Sequence, residues 1–140
     1  MLRATIIAAA MTPLLAGPAL AKDGSGAAVA TFYDAIKSAD SEALASVLAD
    51  DAVIRLADLG FDMTGEEFVA SMDEWESVAA EMTMRVKPDP EQADSAEMVV
   101  RVVCYEFPSN VSMTRETSTL VDGKIARNVQ EEIAENCDGF

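Results

Sequence analysis

Apolar residues first recur at helical spacing over residues 27–38, where Val29, Phe32, Tyr33 and Ile36 form one stripe and Lys37 sits near the end. Asp40 then suits the N-cap of a second short helix with the stripe Leu44, Val47 and Leu48. A short strand is expected over 52–57, ended by the turn residues Asp58-Leu59-Gly60. Thr64-Gly65-Glu66-Glu67 reads as a capping box, with Met63 and Phe68 as a hydrophobic staple. Phe68, Met72 and Trp75 continue that third helix at i, i+4 and i+7, which makes Trp75 a core or cavity-wall residue. From Glu81 the period changes to alternation: Met82, Met84 and Val86 face one way, Thr83, Arg85 and Lys87 the other. Pro88-Asp89-Pro90 stops this strand, and a polar loop follows to Ser95.

Three longer strands are expected at 97–107, 111–121 and 124–133. Asp122-Gly123 is a strong two-residue hairpin turn, which sets Val121 opposite Lys124 and Leu120 opposite Ile125. Extended without a break, that register sets Ser118 against Arg127, Glu116 against Val129 and Thr114 against Glu131. A Pro108-Ser109-Asn110 loop sets Phe107 opposite Val111, and hence Cys104 opposite Thr114. Both hairpins then agree on one inner face holding Met98, Val100, Val102, Cys104, Leu120, Ile125, Val129 and Ile133. On that face Glu116, Arg127 and Glu131 are neighbours, with Thr114 and Ser118 beside them. Unpaired charge is too costly to bury, so this group is either a structural ion pair at an open rim or the polar floor of a ligand pocket. In such a pocket Arg127 meets an anionic or carbonyl oxygen, and Glu116 or Glu131 is open to a raised pKa. The opposite face carries Val99, Val103, Tyr105, Phe107, Val111 and Met113 toward one end, an apolar patch that suggests homodimerisation through the outer sheet face.

Composition narrows the function. The formal net charge is −15, which opposes binding to nucleic acid and docking on anionic lipid. The N-terminal residues combine a basic start at Arg3, an apolar run and Ala19-Leu20-Ala21, the pattern of a signal peptide cleaved after residue 21. Residues 22–140 then form one domain of a periplasmic or secreted protein. In that setting the chain's 2 cysteines, Cys104 and Cys137, are expected to form a disulfide. No metal-ligand cluster or cofactor motif is present, and Asp89, Glu91 and Asp94 lack a calcium-loop pattern. With 0 histidines and no GxSxG, a nucleophilic hydrolase is unsupported.

The stretch FYDAIKSADSEALASVLADDAV resembles the opening of nuclear transport factor two-like (SnoaL-like) domains. That resemblance implies an α+β fold, a cone-shaped barrel of curved antiparallel sheet wrapped around the N-terminal helices, with a cavity between them. Aligned on ADDAV, it sets the catalytic tyrosine of ketosteroid isomerases on Phe32 and their general-base aspartate on Leu56, with Tyr33 and Asp58 nearby. Neither group is retained in register. Three readings stand: a small-molecule-binding domain, a lyase, isomerase or cyclase using a cavity carboxylate as general base, and a non-catalytic dimerisation or protein-interaction domain. The candidate cavity residues are Glu116, Arg127, Glu131, Thr114, Ser118, Tyr33 and Trp75.

Overall fold

The computed structural model describes residues 23–140, so the expected signal peptide lies outside the described residues. Helix α1 spans Asp23–Ser38 and α2 spans Ser41–Val47, where the Asp40 side chain accepts from the Ala43 N–H at 3.0 Å. Strand β1 covers Leu48–Leu56, a 3-10 turn covers Ala57–Leu59, and β2 covers Phe61–Thr64. The expected third helix is present but divides into α3 (Gly65–Ala70) and α4 (Met72–Glu81). Its capping box forms as read: Glu67 N–H donates to Thr64 Oγ1 at 3.1 Å, and Thr64 N–H donates to Glu67 Oε2 at 2.8 Å. Gly65 lies where a Cβ would come within 3.1 Å of the Ala52 Cβ, a tight contact that glycine avoids as α3 packs against β1. Strands β3 (Thr83–Pro88), β4 (Met98–Glu106), β5 (Val111–Val121) and β6 (Lys124–Ala134) complete the chain.

The six strands form one curved, unclosed sheet in the order β2-β1-β6-β5-β4-β3. Only the β1–β6 pair is parallel; the others are antiparallel. The helices pack on the concave face, where Phe32, Leu44, Ile54, Val99, Val103 and Ile125 are fully or almost fully buried. The α+β cone implied by the sequence is therefore the observed fold.

The register differs from the sequence expectation on both sides of β5. At the Asp122-Gly123 turn, Val121 faces Lys124 and Leu120 faces Ile125 as expected. Ala126 is then an extra residue, a β-bulge, so that Thr119 meets Arg127, Ser118 meets Asn128 and Glu116 meets Gln130. The bulge turns Arg127, Val129 and Glu131 to the outer face, and Arg127 and Glu131 are exposed. In the other hairpin the loop has four residues: Glu106 pairs with Val111, and Phe107 N–H donates to Asn110 O at 2.8 Å. Val99, Val103 and Tyr105 thereby join the core with Phe107 packed against it, while Cys104 turns outward. Four members of the apolar patch that suggested an outer-face homodimer are thus interior residues.

Strand β4 gave no warning of its orientation because both of its faces are buried. On the outer side, the loop after β3 folds back: Arg115 Nε meets Asp89 Oδ2 at 2.7 Å, and Val100 N–H donates to Asp94 Oδ1 at 3.3 Å. The C-terminal tail is fastened there by the Cys104–Cys137 disulfide, and Phe140 lies against Arg85 and Lys87. Replacing both cysteines with serine opens a cross-link between residues 33 apart in sequence. The loss is expected to cost about 3–4 kcal/mol by the chain-entropy model. A urea midpoint unchanged by the double substitution would contradict this.

Candidate functional site

A cleft of about 510 Å³ opens between the helices and the concave face of the sheet. Its apolar wall comes from Ile36, Leu56, Met63, Phe68 and Met72. Trp75, Phe107 and Tyr105 form an aromatic side: Tyr105 and Phe107 stack at 6.0 Å, and Trp75 meets Phe107 edge-on at 6.3 Å. Trp75 cannot swing freely, because its indole N–H donates to the Ile36 carbonyl at 2.8 Å, in the last turn of α1. Leu59, Ser112, Gln130 and Glu132 line the cleft at the end nearest the 3-10 turn. That turn is clamped to β6 by the Glu132 N–H, which donates to Asp58 Oδ2 at 2.6 Å.

Beneath the aromatic side lies a buried carboxyl. Glu116 is completely inaccessible. The Tyr105 hydroxyl donates to its Oε1 at 2.6 Å, and the Thr114 hydroxyl donates to the same oxygen at 2.9 Å. Burial pushes the Glu116 pKa above the ordinary carboxyl value, against the hydrogen bonds, which act to lower it. Burial also raises both Tyr33 and Tyr105 well above the ordinary phenol, and the Glu116 charge adds to each shift. Tyr33 lies close enough to feel that charge, yet neither its hydroxyl nor Glu116 Oε2 has a hydrogen-bond partner of ordinary geometry among the described residues. Beside this group runs a second polar line: Gln130 Nε2 donates to Asn128 Oδ1, and Asn128 Nδ2 donates to Ser118 Oγ, both at 3.0 Å.

The structure thus brings together five of the seven expected residues. Trp75 lines the cleft, Thr114 lines an adjoining hollow, and Glu116, Tyr33 and Ser118 are buried behind the wall. Arg127 and Glu131 do not join them, because the bulge at Ala126 sends both outward. Asn128 takes the place expected for Arg127 opposite Ser118, Glu132 takes that expected for Glu131 opposite Thr114, and Tyr105 and Phe107 enter from the shifted β4–β5 pair. Of the positions singled out by the isomerase alignment, Phe32 is buried core, Leu56 lines the cleft and Asp58 stands at the rim. No group of three or more potential ligands able to hold a metal ion occurs among the described residues.

No family model and no curated protein matches the sequence. Solved structures do match. An NTF-2 like protein of unknown function from Burkholderia xenovorans LB400 superposes with a TM-score of 0.67 at 13% identity, over 81% of this chain and 85% of that one. A delta 5-3-ketosteroid isomerase from a Mycobacterium species gives 0.57 at 19% identity, over 77% and 92%. A LEH-like epoxide hydrolase from M. tuberculosis gives 0.54 at 19% identity, over 77% and 83%. The chain has the nuclear transport factor two-like (SnoaL-like) fold. Neighbours on that fold include proteins described as catalysts of different reactions.

The raised Glu116 pKa sets the sign of a pH effect. As pH rises past the unperturbed value of 4.5, the unfolded chain releases this proton while the folded chain keeps it, so the contribution of Glu116 to stability falls. Glu116→Gln keeps a carbonyl acceptor for Tyr105 and Thr114 and has no proton to lose. Denaturant titrations should show wild type losing ground to Glu116→Gln between acid and neutral pH. A difference that is flat, or that runs the other way, would contradict the burial argument.

Proposed function

We propose that this chain is an exported small-molecule-binding domain whose ligand occupies the cleft between the α4 side of the helical layer and the concave sheet face. The observation that carries the reading is an apolar, aromatic-walled cleft of about 510 Å³, with Gln130 and Ser112 among the polar residues that line it. The volume suits a compact organic molecule with one or two oxygen or nitrogen atoms. The disulfide supports the exported setting, since oxidising compartments are where such bonds persist. The −15 charge supports a small-molecule partner over a nucleic acid or an anionic membrane.

A second reading has its own observation. The Tyr105 ring faces the cleft while its hydroxyl touches Glu116, so the buried carboxyl communicates with the cleft through a phenol. That arrangement is suited to proton transfer at a bound carbonyl compound, as a lyase, isomerase or cyclase requires. Tyr105 is then the group touching the substrate, and Glu116 sets the phenol's proton affinity from behind.

Binding is tested with Nile red, an uncharged apolar dye that brightens when it leaves water. The protein should bind it at one site, and Met63→Trp, which fills the cleft wall, should weaken binding by about tenfold, the scale of one misfitted group in a hydrophobic pocket. Equal binding by a folded Met63→Trp variant would put the dye elsewhere and defeat the reading. For the catalytic reading, any co-purified ligand found by native mass spectrometry is incubated with Tyr105→Phe and Glu116→Gln. Turnover by wild type that both variants lose, with binding retained, supports catalysis; turnover unchanged in both removes it.

A further inference from the structure

The cleft does not end at its own wall. A second hollow of about 300 Å³ shares Leu56, Leu59, Ser112, Gln130 and Glu132 with it, so the two form one chamber with a bend at the rim. The two parts differ in chemistry. The inner part is walled by Trp75 and Phe107, whereas the outer part adds Asp58 to Glu132. Among the described residues no lysine or arginine lines either part.

Both carboxylates are fixed in place by the fold. Asp58 Oδ2 accepts the Glu132 N–H at 2.6 Å, and Glu132 Oε2 accepts the Ser112 hydroxyl at 2.5 Å. Each keeps a second oxygen that takes no part in these bonds. These two exposed carboxylates set a negative potential at the mouth, and the −15 charge of the chain adds to it. Apolar surface alone would accept any greasy molecule. Placing two carboxylates and no cation on the path inward selects by charge.

We infer that the ligand of this chamber is a cationic amphiphile: a compact apolar or aromatic body lodged against Trp75 and Phe107, carrying a protonated amine that meets Asp58 and Glu132 at the rim. This inference rests on the binding reading above and adds the charge of the ligand to it. The ammonium group supplies donors to the carboxylate oxygens left over by the protein's own hydrogen bonds. An organic anion with the same body meets two fixed like charges and is excluded.

The chain carries 1 tryptophan, and it stands in the cleft wall, so its emission reports occupancy directly. Three probes share one body and differ only in charge: 1-adamantylmethylamine, 1-adamantylmethanol and 1-adamantanecarboxylate. Each is titrated against the intact protein at physiological salt and again at about 0.5 M, where long-range attraction is largely screened. The amine is expected to bind about tenfold more tightly than the alcohol, a ratio within reach of close charge-assisted contacts, with the carboxylate weakest. The preference should persist in part at high salt. Glu132→Gln and Asp58→Asn each keep an acceptor for their structural bond, and each should reduce the amine-to-alcohol ratio several-fold. Equal binding of the three probes, or a ratio unchanged in both folded variants, overturns the cationic assignment while leaving a binding cleft intact. If none of the probes alters Trp75 emission and the dye also fails to bind, the binding reading falls and this inference falls with it.

Discussion

A pleated strand sends successive side chains to opposite faces, so a single extra residue decides what a concave sheet presents to its interior. Here that residue is Ala126. Before it, β6 is in step with the Asp122-Gly123 turn and buries Ile125; after it, β6 buries Asn128 and turns Arg127 outward. Without the bulge, Arg127 and Glu131 would face the interior and Asn128 would face solvent. The cleft would then have a charged floor in place of an amide line from Gln130 through Asn128 to Ser118. Burial of the Glu116 carboxyl behind this floor is why its proton is held more tightly than usual.

Burying that carboxyl is costly unless its oxygens are satisfied. Two hydroxyl donors meet Oε1, and one of them belongs to Tyr105, whose ring also forms cleft wall. Stability and site are therefore coupled through one side chain. The aromatic wall is anchored in a similar way, since the Trp75 indole donates to the Ile36 carbonyl in the last turn of α1, which also accepts the Ala39 N–H. Helices, wall and polar floor are thus tied by a few specific bonds rather than by apolar contact alone. The rim follows the same logic, with Asp58 and Glu132 held by bonds to backbone and to Ser112.

Much of this was open to reading from the sequence, and the failures share a cause. Local signals succeeded: the Asp40 cap, the Thr64 capping box, the inward row of β3 and the Asp-Gly turn are set by residues within a few positions of one another. The row Thr114, Glu116, Ser118 and Leu120 on the central strand β5 was also placed correctly. Its two neighbours slipped by one residue each, in independent ways. Ala126 carries no signal of a bulge, and Phe107 continues the apolar pattern of β4 although it belongs to the loop. Agreement between the two hairpins did not expose the slips, because both were referred to β5. Strand β4 could not correct itself, since Val99, Val100, Val102, Val103 and Cys104 are all buried, on two different faces. The alternation that identifies a half-buried strand is missing there. Tyr105 and Gln130 were consequently overlooked as cleft residues, and Arg127 and Glu131 were overvalued.

The pairing of β5 with β6 beyond the bulge is the point on which site and chemistry depend, and cross-strand nuclear Overhauser effects report it residue by residue. Contacts joining Ser118 to Asn128 and Thr117 to Val129 are the expected result. Contacts joining Ser118 to Arg127 and Glu116 to Val129 would instead put the arginine inside, return the charged floor and contradict the cleft described above.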